Sequence, residues 1–191
     1  LPPKSFEQLK ANAQKRESAL KRVEEKDVDA LHKKLFDTGI KVWSSKKLYE
    51  ETGKLSPGES VKGRTILTDV AEYTMEGLLF LQHVKGLTPH LSGVAEHDNG
   101  HIQGLMSHGS GRKVDIRTRL DTGDGRQIRD FIKTYGVHVA NYEGDPVYHF
   151  TLRGEDEHGD MKTYDYEAIL EKDHIDLAVL KPGDREYRLA H

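Results

Sequence analysis

The chain has 191 residues, 35% hydrophobic and 32% charged, with a formal net charge of −3 when its 11 histidines are neutral. That length supports one well-cored domain, or a smaller domain with a helical extension, and the charge gives no overall attraction to nucleic acid or to an anionic membrane. The lack of cysteine excludes a disulfide framework, a cysteine-rich zinc site and thiol catalysis, and no apolar run approaches the roughly 20 residues that span a bilayer.

The start Leu1-Pro2-Pro3, without Met, reads as a segment cut from a longer protein. Residues 5 to 36 are rich in Lys, Glu, Ala, Gln and Leu, and Ser5 followed by Gln8 predicts a capped helix start. The basic stretch Lys10 to Arg22 reads as a solvated helix face, because Glu7, Glu17, Glu24 and Glu25 neutralise it. Between Thr52 and Gly63 a cluster of Gly, Ser and Pro marks a loop or boundary. This divides the chain into a helical extension or linker, residues 1–60, and a domain of residues 61–191.

Ile66 to Val84 predicts a buried helix stopped by Gly86, and His90 to Ala95 a short strand. His97 to Ser110 is a loop rich in glycine and histidine, in which His97 and His101 read as solvated rather than as a metal pair. Val114 to Arg117 reads as a strand. Gly123-Asp124-Gly125 is a turn leading into a helix over Arg126 to Tyr135 that ends at Gly136. Val137 to Tyr142 and Val147 to Leu152 form a hairpin through Glu143-Gly144-Asp145-Pro146, and Tyr164 to Leu189 offers further strands or a short helix around Glu167 to Leu170. The sum is an α+β fold: a small antiparallel sheet carrying the candidate site, packed with helices, plus the N-terminal helical extension.

Two segments carry chemistry. Ser107-His108-Gly109-Ser110-Gly111-Arg112-Lys113-Val114-Asp115 offers a loop histidine and a strand-borne carboxylate, and Val147-Tyr148-His149-Phe150 a second histidine among β-formers. If Val114 and Ile116 face the core, Asp115 faces the other side of the sheet, and the same period of two can place His149 on that side. His138, in the partner strand of the hairpin, is a fourth contact or a support. Zinc takes neutral imidazole and carboxylate, and a catalytic site uses three protein ligands with one position left for water. His108, Asp115 and His149 are therefore the expected ligands of a catalytic Zn2+ site.

The segment from Ser107 to Ile116 resembles the first zinc motif of the LAS metallopeptidases, the group of D-alanyl-D-alanine carboxypeptidases, L-alanyl-D-glutamate endopeptidases of phage lysins and murein endopeptidases. The matching features are the Ser-His pair, a Gly three residues after the His and an Asp seven after it. Leu91-Ser92-Gly93 is similar to the strand that precedes this motif. The resemblance implies a downstream strand with the third ligand, here His149, and a catalytic carboxylate three residues ahead of it. That position is Pro146, so Asp145 and Glu143 are the nearest candidates for the proton-transferring carboxylate. The family's substrate-holding Arg on the strand before the motif is replaced by Val94-Ala95-Glu96, which leaves Arg112 and Arg117, with Ser107, as substrate-binding candidates.

What the resemblance implies is a zinc-dependent peptidase acting on stem or cross-link peptides of peptidoglycan. Its place would be the bacterial cell wall, outside the cell or as a lytic domain of a phage virion, within a larger virion or tail protein. A non-catalytic structural or binding module of a virion, tail or surface protein that keeps the fold is the alternative. A phosphoesterase or nuclease built on the histidines is a third, less favoured because such hydrolysis more often uses two metals with additional Asp ligands.

Overall fold

In this computed structural model, residues 2–42, 67–95, 105–119 and 123–190 are described. The loop expected between Thr52 and Gly63 and the pair His97 and His101 lie outside them. The described residues form five α-helices, α1 (Phe6–Ala19), α2 (Val28–Asp37), α3 (Glu72–Lys85), α4 (Gly125–Tyr135) and α5 (Asp184–Ala190). They also form six strands, β1 (Leu91–Gly93), β2 (Lys113–Arg117), β3 (Val137–Tyr142), β4 (Asp145–Glu155), β5 (Met161–Leu170) and β6 (His174–Leu180). The fold is α+β. None of the described helices is long and apolar enough to cross a membrane.

The capping box forms at the start of α1: the Ser5 hydroxyl accepts from Gln8 N at 3.2 Å, and the Gln8 side chain accepts from Ser5 N at 2.9 Å. The helical run expected over residues 5 to 36 is nevertheless broken after Ala19. Residues 21 to 23 leave the helix to bond with the segment before α3, where Val23 N donates to Val70 O at 2.9 Å and both Asp69 N and Glu72 N donate back to the first segment. The backbone groups freed by the break are thus satisfied by tertiary contacts, which override helix propensity. The same contacts delay α3, whose predicted start at Ile66 becomes Glu72, while its end at Gly86, left-handed with φ +65°, falls where expected.

Every strand pairing in the sheet is antiparallel, in the order β1-β2-β6-β5-β4-β3. After β2 the chain crosses through α4 to the far edge, then returns as the meander β3-β4-β5-β6 until β6 lies against β2. Glu143 and Gly144, with φ of +50° and +87°, make the tight turn between β3 and β4. The segment Glu167 to Leu170, a candidate helix, belongs to β5. Its alternation of Tyr164, Tyr166, Ala168 and Leu170 has a strand's period of two, and pairing with β4 and β6 decides between the two readings.

Alternation divides the sheet. Val114 and Ile116 of β2, Ile175, Leu177 and Val179 of β6, and Tyr166, Ala168 and Leu170 of β5 face the main core with Leu78 and Leu81 of α3 and Ile128 and Ile132 of α4. The opposite face carries a smaller cluster at one end, in which Ala178, Leu180 and Met106 pack with Leu9 and Ala13 of α1 and Tyr187 of α5. Further along that face the buried Ile169 and Val147 lie in register with the carboxylates Asp176 and Asp115.

α3 approaches the core face closely at Gly77, where a Cβ would lie 2.5 Å from Val179 Cγ1 and the carbonyl accepts from Tyr166 Oη at 2.6 Å. Valine has little rotamer freedom to withdraw. Gly77→Ala is therefore expected to destabilise the fold by about 1–3 kcal/mol through overpacking, read as a lowered urea midpoint with an unchanged slope.

Candidate metal centre

On the face turned away from the main core Asp115 of β2 stands directly opposite Asp176 of β6. Like charges at opposed positions of an antiparallel pair are unfavourable, so the arrangement needs cations. His108 brings Nε2 to 3.0 Å from Asp115 Oδ1 and 3.6 Å from Asp176 Oδ2, and Lys113 Nζ lies 3.2 Å from Asp176 Oδ1. One ligand atom from each of His108, Asp115 and Asp176 falls within 4.8 Å of the others, and the three can hold a metal ion. The described residues contain no other such group.

Local structure aims the imidazole. The loop before β2 turns through Met106 and Gly111, with φ of +57° and +74°, and is tied by hydrogen bonds between Ser107 and Ser110. Gly111 has no room for a side chain, since a Cβ would lie 2.4 Å from Asp69 O. His108 Nδ1 lies 2.8 Å from Val94 O. A carbonyl only accepts, so Nδ1 carries the hydrogen and Nε2 is the atom turned to the carboxylates, the orientation a metal-binding histidine needs. Gly93 in β1 leaves the space for Asp115, because a Cβ there would lie 2.6 Å from Asp115 Oδ2.

The electrostatics describe a site built for positive charge. Burial opposes protonation of His108, but hydrogen bonds and charge from Asp115 and Asp176 outweigh it and push the imidazole up to about 11. Burial raises Asp176, yet His108 and Lys113 prevail and hold it down to about 2. Without a metal, a proton on His108 takes the place between the two carboxylates, and a divalent cation competes with that proton for Nε2.

Next to this group, His174 Nε2 lies 3.9 Å from Asp115 Oδ1 and 2.7 Å from Glu171 Oε2, with Nδ1 2.8 Å from Asp173 Oδ1. Burial disfavours the charged form of His174, but Asp115, Asp173 and Glu171 raise its pKa. Burial and the charges of Asp176, Asp115 and Asp145 raise the Glu171 carboxyl above the ordinary carboxylate value, against the pull of His174. A cleft of about 270 Å3 opens here, lined by Ser92, Arg117, Arg119, Asp173 and His174.

Of the residues expected at the site, His108 and Asp115 come together and His149 does not join them. It shares the face with Asp115, as the alternation implies, but β6 and β5 intervene between β2 and β4. At about 4.8 Å per strand that is roughly 14 Å. His149 instead pairs through Nε2 with Glu167 Oε2 at 2.9 Å. His138 is exposed and lies 3.1 Å from Asn141 Oδ1. Asp145 sits at the start of β4, close enough for its charge to act on Glu171, while Glu143 is in the exposed hairpin turn. Ser107 is buried in the loop's own hydrogen bonds, and Arg117 lines the cleft. Arg112 is fully buried, bonded to Glu17 Oε1 at 3.2 Å, Asp184 Oδ2 at 2.6 Å and Val179 O at 3.1 Å, which removes it from contact with a substrate.

The residues that sequence reasoning missed lie in one stretch, Glu171-Lys172-Asp173-His174-Ile175-Asp176. A signal was present: a carboxylate three residues ahead of a ligand-type residue, the offset absent before His149, occurs here as Glu171 before His174 and as Asp173 before Asp176.

The buried pair around His149 has its own role. Burial raises Glu167, but His149 and the Arg188 guanidinium, 2.6 Å away, bring it down to about 2. A depressed carboxylate contributes stability above its ordinary pKa and loses it as pH falls towards the depressed value. Glu167→Gln is thus expected to cost about 3 kcal/mol at pH 7. The difference from wild type should shrink as pH drops from 4.5 to about 2, read in urea titrations across that range.

No protein-family model, curated protein or solved structure matches this chain in comparison.

Proposed function

We propose that the chain is a zinc-dependent peptidase whose centre is His108, Asp115 and Asp176, acting on stem or cross-link peptides of bacterial peptidoglycan at the cell wall, as a virion-associated or secreted lytic domain. The observation that carries the reading is the convergence of one imidazole of fixed tautomer with two carboxylates beside an open cleft. One nitrogen and two oxygen donors suit zinc, and a three-ligand set leaves a position open. The peptidoglycan substrate rests on the resemblance of the segment from Ser107 to Ile116 to the first LAS motif.

Zinc held by these residues supplies Lewis acidity, polarising a scissile carbonyl and lowering the pKa of a water. Glu171 is the proton carrier: its raised carboxyl accepts a proton from water and returns it to the leaving amine. Asp145, expected to do this itself, contributes by the negative charge that helps keep Glu171 raised. His174, its charged form favoured by Asp115, Asp173 and Glu171, engages Asp173 and Glu171 through its two ring nitrogens and so orients the Glu171 carboxyl. Arg117 presents a cation in the same cleft to a substrate carboxylate or carbonyl.

Metal analysis of the purified protein, with digestion of cell-wall sacculi by wild type and Glu171→Gln, tests this. About one zinc per chain and fragment release by the wild type are expected, with release reduced by 100-fold or more in the variant while it keeps its zinc. Absence of bound metal, or release undiminished in Glu171→Gln, would overturn the reading. Zinc bound with no release by the wild type would favour the non-catalytic virion or surface module.

A further inference from the structure

We infer that the N-terminal helix is a working part of the metal centre, with Glu17 of α1 a positioning residue for His108; this rests on the reading of His108, Asp115 and Asp176 as metal ligands. Glu17 lies in the last turn of α1, where the helix dipole disfavours an anion, and only 9% of it is exposed. Helix formation alone does not explain a buried acid there. Its Oε1 accepts from Met106 N at 2.7 Å and from Arg112 Nη1 at 3.2 Å. Both donors border the ligand, at two residues before and four after His108.

Met106 is a non-glycine residue at φ +57°, a conformation that persists only where its surroundings impose it. Glu17 fixes its amide, while Leu9 and Ala13 of the same helix belong to the cluster that buries its side chain. Arg22, just past α1, donates from Nη2 to Ser110 O at 3.0 Å on the other side of His108. The helical region therefore grips the ligand loop on both sides. The contact of His108 Nδ1 with Val94 O then sets which nitrogen faces the carboxylates.

The test uses the full chain with Co2+ as probe, comparing wild type, Asp115→Ala, Glu17→Ala and Glu17→Gln. Wild type should bind Co2+ with visible absorption bands, and Asp115→Ala should not. Glu17→Ala should keep its far-UV circular dichroism but bind Co2+ about 10–100-fold more weakly, as for residues that orient ligands, with altered bands. Glu17→Gln, whose amide oxygen still accepts from Met106 N, should restore most of the affinity and the spectrum. If Glu17→Ala does not fold, Glu17→Gln and hydrogen exchange at Met106 carry the test, with exchange expected slower in Glu17→Gln than in Glu17→Asp. Wild-type affinity, bands and Met106 exchange in the Glu17 variants would overturn the proposal while leaving the metal centre standing. No Co2+ binding by the wild type would overturn the centre itself.

Discussion

Replacing Asp115 or Asp176 with alanine will lower metal affinity by at least about 100-fold, beyond the 10–100-fold typical of residues that only orient ligands. Equilibrium dialysis with metal analysis reads this directly, and wild-type affinity in either variant would remove that residue from the centre. The two variants should differ in stability without metal. Asp115→Ala leaves His108 its approach to Asp176 and relieves an opposed like-charge pair. Asp176→Ala takes from Lys113 its ion-pair partner at 3.2 Å and leaves that amine buried. The second variant should therefore unfold at lower urea, and equal midpoints would contradict this division of charge.

Arg112→Met is expected to be the most destabilising single change considered. The guanidinium is fully buried between Glu17 and Asp184, and Arg16 Nε reaches the far oxygen of Asp184 at 2.7 Å. Removing the central cation leaves two buried carboxylates, Asp184 with Arg16 and the Lys181 amide and Glu17 with the neutral Met106 amide. Breaking a buried ion pair from one side costs about 3–5 kcal/mol, a fall in Tm on the order of 10 °C for a chain of this size. The double variant Arg112→Met with Glu17→Met should recover part of the loss, since replacing both partners by apolar groups avoids the stranded charge. A single variant within about 0.5 kcal/mol of wild type, the usual range of surface substitutions, would show that Arg112 behaves as a solvent-facing residue.

Local features were legible in the sequence. The Ser5 and Gln8 capping box, the Gly86 stop of α3, α4 and the β3–β4 hairpin each depend on neighbours within a few residues. The alternation around Asp115 likewise placed Val114 and Ile116 in the core and the carboxylate on the other face. Strand order is not carried by alternation. His149 and Asp176 both satisfy the face rule, but only the return of the meander puts β6 beside β2. The third member of the centre therefore depends on a pairing some 60 residues apart in sequence. Arg112 misled for a related reason: beside a ligand it reads as a substrate contact, and its partners come from residues 17 and 184.

Because Asp176 points to the face opposite Ile175 and Leu177, the donor can be exchanged without touching the main core. An Asp176→His substitution would change the ligand chemistry and leave Ile175 and Leu177 packed as they are. A deletion of one residue within β6 has the opposite character. It shifts the register of the strand against its neighbours, bringing Asp176 towards the hydrophobic interior or Leu177 towards the cation site. This strand should accept substitution of its polar residues far more readily than any change in its length.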